Sequence, residues 1–341
     1  MSNGWFVLVI FSMSFLLTAL LRKYALAKSL IDVPNERSSH SVPTPRGGGV
    51  AIVVAYFCAL ALLYWTELAP FNSVFASFGG GVIVAIVGFI DDHGHVAARW
   101  RLLGHTAGAI WALAWLGGLP PITLLGVIVN LGWLGQVLAV FYLVWMLNLY
   151  NFMDGIDGIA SVEAICVCLG ACLLYWIKGL ESLIWEPLLL AAAVAGFLYW
   201  NAPSARIFMG DAGSGFLGII LGLLSIQAAR TDPELFWAWL ILLGVFVVDA
   251  TFTLVRRLIR GERLHEAHRS HAYQFASRRF GRHSPVTVIV GLITIFWLLP
   301  IAIFVVRYQL DGVTALLFAY APLILLAWRL RAGERENESN I

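Results

Sequence analysis

The chain is 341 residues long, 60% hydrophobic and only 12% charged, with a mean hydropathy of +0.84. Soluble domains carry about 25% charged residues, so this composition excludes an ordinary water-soluble protein and predicts an all-α, polytopic membrane protein. A net charge of +2 gives no sign of nucleic-acid binding.

Eleven apolar runs have the length that a hydrocarbon core of ~30 Å demands. They fall near 4–22, 48–65, 74–90, 102–117, 134–150, 158–177, 187–200, 213–229, 235–255, 286–306 and 314–328. The seventh is short and 119–133 is ambiguous, so ten or eleven helices are expected. The first run has no small-residue cleavage site before Arg22 and reads as a retained helix. Cys58, Cys166, Cys168 and Cys172 sit inside apolar runs and read as small hydrophobes, with no disulfide or metal role. Residues 1–341 read as one domain with a polar tail from about 332. Of the 22 Lys and Arg, 19 fall on one set of loops and the tail, while Lys178, Arg230 and Arg307 fall on the other. Positive charge stays inside, which predicts an outside N-terminus and a cytoplasmic C-terminus.

In chain order, the first loop holds three prolines and ends in Arg46 followed by Gly47, Gly48 and Gly49. It reads equally as an anion site offering a cation and free amides, or as a positive-inside anchor with a tight turn. The third run ends in Asp91 and Asp92, followed by His93, His95, Arg99 and Arg101. Adjacent aspartates on a helix point ~100° apart, so one can face a site while the other faces its support. Asn148, Asn151, Asp154 and Asp157 then recur every third residue around Gly155 and Gly158. That spacing predicts a ladder of amide and carboxylate oxygens in register, costly at a membrane helix end unless a cation, a partner or water meets it.

Between the seventh and eighth runs lie Asn201, Arg206, Phe208, Gly210, Asp211, Gly213 and Gly215. Asp211 reads as a helix N-cap, or as a cation holder beside a glycine-stripped helix start that accepts a pyrophosphate. The loop near 256–285 carries eight arginines with His265, His268 and His271. Spaced by three, those histidines are expected on one side of a helix, kept neutral by the neighbouring arginines.

Taken together, Asp91-Asp92, the 148–158 stretch, Phe208 to Ser214 and the histidine loop resemble, in this order, the polyprenyl-phosphate N-acetylhexosamine-1-phosphate transferases of the MraY/WecA superfamily. The likeness runs from the first loop to His271. The histidine spacing departs from consecutive histidines and is similar to the WbpL-type branch that starts O-antigen synthesis. The resemblance implies transfer of a sugar-1-phosphate from a UDP-N-acetyl sugar to undecaprenyl phosphate, with release of UMP, at the cytoplasmic face of a bacterial inner membrane. It implies Mg²⁺, with Mn²⁺ as substitute, held by Asp211 and Asn151. Asp91, Asp92 and Asp154 are then the catalytic acids, and Gly155, Asp157, Asn201 and Phe208 enclose the uracil. His265, His268, His271 and Arg46 face the sugar and diphosphate, and Arg101 the lipid phosphate. A homodimer is compatible with this reading. The alternatives are the muramoyl-pentapeptide branch of the same superfamily and, in another class, a transporter. Transporters place intramembrane carboxylates near the midplane of repeated halves, and no repeat occurs here. A CDP-alcohol phosphotransferase needs an Ala-Arg soon after the Asp-Gly, where residues 159–165 have no arginine.

Overall fold

The computed structural model describes residues 3–34, 42–94, 96–262 and 268–334. Each of the eleven apolar runs coincides with a helix or a broken helix. These are α1 (Trp5–Ala27), α2 (Val50–Trp65), α3 (Phe71–His93), α4 (Ala98–Leu116), α5 (Gly132–Met153), α6 (Ile159–Lys178), α7 (Trp185–Asn201) and α8 (Asp211–Thr231). Then come α9 (Pro233–Leu242), α10 (Gly244–Ile259), α11 (Ala272–Phe280), α12 (Ser284–Ile293), α13 (Leu299–Tyr308) and α14 (Gly312–Arg329). Eight helical segments among the described residues are long and apolar enough to cross a membrane, or nine with the bent pair α9–α10. The shorter α2 has 16 residues, and α4 carries Arg99, Arg101 and His105.

The structure differs from the sequence reading at four places. The ninth run bends by 71° between α9 and α10. The tenth passes from α12 to α13 through a π-helical turn, Thr294–Leu298, where an extra residue per turn reshapes the packing. The ambiguous 119–133 segment is an antiparallel hairpin, β3 (Ile122–Leu124) with β4 (Val127–Val129), and Trp237 Nε1 donates to Thr123 O at 2.7 Å to dock it on α9. A second short pair, β1 (Ile31–Asp32) with β2 (Thr44–Pro45), brackets the first loop.

The hub is α8, with 94% of its apolar window inside the protein. Its glycines make this possible. A Cβ on Gly218 would lie 2.4 Å from Leu147 Cα, and one on Gly222 2.8 Å from Leu143 Cδ2, so the backbone and side chains of α5 press directly on the α8 backbone. The N-terminus of α8 thereby meets the C-terminal ends of α3 and α5.

Candidate active site

The first contact to set the site is the crossing of α3 over the start of α8. Gly88 leaves no room for a side chain, since its Cβ would sit 2.5 Å from Asp211 C and Ala212 N. Asp92 accepts hydrogen bonds from Asp211 N at 3.0 Å and Ala212 N at 3.2 Å, so a carboxylate from α3 caps α8 and complements its dipole. Gly210 has φ +79°, and a Cβ there would lie 2.6 Å from Asp92 Oδ2, so the turn admits only glycine. Both Asp92 oxygens are thus committed to main-chain amides. This differs from the expectation of Asp92 as a catalytic acid: its partners make it the support, and Asp91 the outward member. Asp91 accepts from Val96 N at 2.8 Å and from Arg101 Nη1 at 2.6 Å, and the same nitrogen lies 3.8 Å from Asp211 Oδ2. Arg101 therefore spans two carboxylates.

Across from this crossing, Asn151 Nδ2 donates to Asp211 Oδ1 at 2.8 Å and Ser214 Oγ at 3.1 Å. The four-rung ladder expected from 148–157 does not run in one line, because α5 ends at Met153. Asn148 turns back to Val144 O at 2.7 Å, Asn151 faces α8, Asp154 caps α5, and Asp157 faces another space. Burial, reinforced by Asp211, Asp92 and Asp157 nearby, holds the Asp154 carboxyl well above the ordinary carboxylate range. Gly155 backs onto Tyr273, whose hydroxyl would be 2.1 Å from a Cβ there and donates to Phe152 O at 2.9 Å.

Beside these acids lies a cavity of about 490 Å³, lined among others by Asp157, Phe208, Arg269, Arg278, Arg282 and His283. Asn201 is not among the lining residues. It is buried, accepts from Gly158 N at 3.0 Å and donates to Ile207 O at 3.1 Å, so it braces the turn that carries Asp157. The first loop closes the same corner. Gly48 N and Gly49 N donate to Phe208 O and Met209 O at 2.9 and 2.8 Å, so these amides are not free for an anion as the anion-site reading required. Likewise a Cβ on Gly213 would meet Gly49 Cα at 2.6 Å, so these glycines serve close backbone packing rather than a phosphate cradle. Arg46 Nη2 donates to Asp92 O, which places its guanidinium against the end of α3.

His268 and His271 do not share a helix side. His265 lies outside the described residues, His268 is in coil, and His271 is the N-cap of α11. His271 is 2% exposed and packs in a ring file with His268 (4.9 Å), Tyr273 (5.7 Å) and Phe152 (6.3 Å), which removes it from direct contact with a ligand. His268 is pushed down to about 3, chiefly by burial and then by His271 and Arg257, so it is neutral for a different main reason than arginine repulsion. Sequence reasoning missed two residues. Asp249 accepts from Ala272 N and Tyr273 N at 2.8 and 3.0 Å and so anchors α11 to α10; a lone carboxylate in an apolar run was its signal. His283, 3.2 Å from Asp157 Oδ1, sits 126 positions away and left no local signal.

No group of three or more His, Cys, Asp or Glu among the described residues converges on a single metal position. A magnesium-type cation needs less, because it takes one or two carboxylates and completes its shell with water and substrate phosphates. Asp211 and Asn151 offer such an all-oxygen pair, since an amide is turned over without moving its chain. The donor set fits a hard cation.

Residues 74–229 match the model of glycosyl transferase family 4. A probable undecaprenyl-phosphate N-acetylglucosaminyl 1-phosphate transferase of Bacillus subtilis is 29% identical over 266 residues, 76% of this chain and 72% of that protein. A decaprenyl-phosphate N-acetylglucosaminephosphotransferase of Mycolicibacterium smegmatis is 31% identical over 294 residues, 74% of this chain and 71% of its own. A phospho-N-acetylmuramoyl-pentapeptide-transferase of Moorella thermoacetica is 31% identical over 258 residues, 71% of this chain and 74% of its own.

Proposed function

The chain belongs to glycosyl transferase family 4, and on that premise we propose that it transfers an N-acetylhexosamine-1-phosphate from a UDP-sugar to undecaprenyl phosphate, releasing UMP. The observation that carries the reading is the meeting of Asp91, Asp154, Asn151, Asp211 and Arg101 beside a nucleotide-sized cavity lined by Phe208 and three arginines. Phosphoryl transfer asks chiefly for alignment and charge neutralisation, which is what such a cluster supplies.

In the reaction an oxygen of the lipid phosphate bonds to the sugar-bearing phosphorus of the donor. The bridging oxygen leaves with UMP. Phe208 stacks on the base, and Arg269, Arg278 and Arg282 draw the anionic nucleotide into the cavity. Arg101, held by Asp91, steers the lipid phosphate toward the acids. Asp92 keeps the N-terminus of α8 rigid, so that Asp211 and Asn151 stay aligned. Asp154 keeps a proton while the acids crowd one another and gives it up when positive charge arrives. A divalent cation, Mg²⁺ or Mn²⁺, held by Asp211 and Asn151 would neutralise the diphosphate.

N-acetylglucosamine is the first sugar to test, in view of the relatives' printed activities, with N-acetylgalactosamine and 6-deoxy sugars next. The spaced histidines favour a WbpL-type role in starting O-antigen or a related envelope polysaccharide. The charge asymmetry supports an inner-membrane orientation with the N-terminus periplasmic and the acids cytoplasmic. The experiment is purified protein with undecaprenyl phosphate, Mg²⁺ and a panel of UDP-sugars, scored by UMP release. UDP-N-acetylmuramoyl-pentapeptide belongs in the panel: turnover with it alone would move the chain to the peptidoglycan branch. No UMP from any donor would overturn the reading. A reporter between α8 and α9 should label as periplasmic, and a cytoplasmic result would put the acids on the wrong side for a cytosolic nucleotide sugar.

A further inference from the structure

Asp157 is held on every side. Its Oδ2 accepts from Ala205 N at 3.0 Å, its carbonyl accepts from Thr287 Oγ1 at 2.8 Å, and the next amide, Gly158 N, donates to Asn201. The remaining oxygen, Oδ1, has His283 Nδ1 at 3.2 Å, and the Asp157 amide is set to donate to that same Nδ1 at 3.4 Å. One nitrogen cannot serve both. If Nδ1 carries a hydrogen it donates to the carboxylate; if it does not, it accepts from the amide while its lone pair faces a second lone pair on Oδ1. The shorter, charge-assisted contact wins, because a bond to an ionised acceptor is roughly twice as strong as one between neutral groups. His283 is thus an Nδ1–H donor, and it sits at the N-cap of α12, the helix that also supplies Thr287. Both His283 and Asp157 line the cavity, with Phe208 and with Arg269, Arg278 and Arg282.

We infer that His283 is a positioning residue for nucleobase selection: by donating to Asp157 it fixes that carboxylate as a pure acceptor toward the ring bound in the cavity. This rests on the nucleotide reading of the cavity given above. A carboxylate fixed by one donor on each oxygen presents only lone pairs to what enters. It welcomes the imide N–H of uracil and repels the bare ring nitrogen that cytosine shows at the same place. A site built to receive a particular N–H discriminates strongly against a ring that lacks it, because its buried polar group is then left unpaired. Without His283, the Asp157 carboxylate is held through Oδ2 by the Ala205 amide, and Oδ1 loses its aim.

The test is calorimetric binding of UMP and CMP to the detergent-purified full chain, with donor kinetics alongside. The wild type is expected to prefer UMP. His283→Ala should weaken UMP binding about tenfold or more, the scale of a lost hydrogen bond to a charged group, and leave CMP binding unchanged. In turnover the loss appears in KM for the donor rather than in kcat. His283→Asn, whose amide nitrogen falls near the place of Nδ1, should restore UMP binding; His283→Gln, which reaches toward the place of Nε2, should not. Because the Asn and Gln variants are compared with each other, the result survives if the alanine variant fails to fold. Equal UMP affinity in wild type and His283→Ala, or equal rescue by Asn and Gln, overturns the inference. A wild type that binds UMP and CMP alike would instead remove the nucleotide reading on which it stands.

Discussion

Glu186 is a buried acid and Asp154 and Asp211 form a half-buried pair, and the fold treats them in opposite ways. Glu186, at the start of α7, gives one oxygen to Ser73 Oγ at 2.6 Å and Gln227 Nε2 at 2.9 Å, hydroxyl and amide donors from α3 and α8. Glu163 on α6 does the same with Thr294 Oγ1 at 3.0 Å, on the π-helical turn. No cation faces either of them among the described residues. At the other end, Asp154 stands among Asp211, Asp92 and Asp157, and Arg101, the guanidinium beside Asp211, is already engaged by Asp91. An acid supplied with neutral donors ties helices together. Acids crowded against one another without enough donors form a place where positive charge is wanted.

The comparison breaks most sharply at Asp211. Asp211→Asn is expected to cut UMP release by about a thousandfold, several kcal/mol of transition-state stabilisation, while thermal unfolding stays cooperative. Near-normal turnover would place the centre elsewhere. Glu186→Ala should do the reverse. It leaves Ser73 and Gln227 without their acceptor and costs about 1–3 kcal/mol of stability, with the activity of the folded fraction retained. A loss of activity without loss of stability would make Glu186 functional.

The pH dependence sharpens the same contrast with a smaller effect. The folded chain holds the Asp154 proton to higher pH than the unfolded chain does. Stability without divalent cation should therefore fall as pH rises from the ordinary carboxylate range through the raised Asp154 value, and level off beyond it. Saturating Mg²⁺ should flatten that slope in the wild type and not in Asp211→Asn, read by thermal unfolding. A slope unchanged by Mg²⁺ would count against cation binding at these acids. The smallest effect is expected at His268. As a neutral partner exposed more than His271, its change to alanine should raise KM for the donor roughly threefold to tenfold. His271→Ala should act through stability instead, since its ring is packed among His268, Tyr273 and Phe152. Equal kinetic effects from both would mean that α11 moves on binding.

The helices were legible because a continuous apolar run of about 20 residues has few other fates. The polar motifs were legible because Asn151, Asp154 and Asp211 interrupt or begin those runs where lipid would make them costly. What the local pattern does not carry is pairing across the chain. Nothing at Gly213 says that Gly49 presses on it, so a packing contact looks like a phosphate cradle. Asp92 and Asp91 are neighbours in sequence, yet only the crossing at Gly88 decides which one faces α8. His271 and His268 keep helical spacing, but α11 begins after them because Asp249 captures the amides of Ala272 and Tyr273.

The 71° bend between α9 and α10 carries a mechanical consequence. Because of it, α9 and α10 cannot both run straight across the bilayer, and at least one of them is tilted. Asp249 hangs α11 from α10, one arm of that bent pair, and Tyr273 of α11 donates to the carbonyl of Phe152, two residues before Asp154. A slanted helix answers a change in hydrocarbon thickness by changing its tilt, at a cost of only fractions of a kcal/mol per Å of mismatch. The turn that holds Asp154 is therefore connected, through the side chains of Asp249 and Tyr273, to the thickness of the surrounding membrane. Turnover in bilayers of graded acyl-chain length should pass through an optimum that Tyr273→Phe blunts.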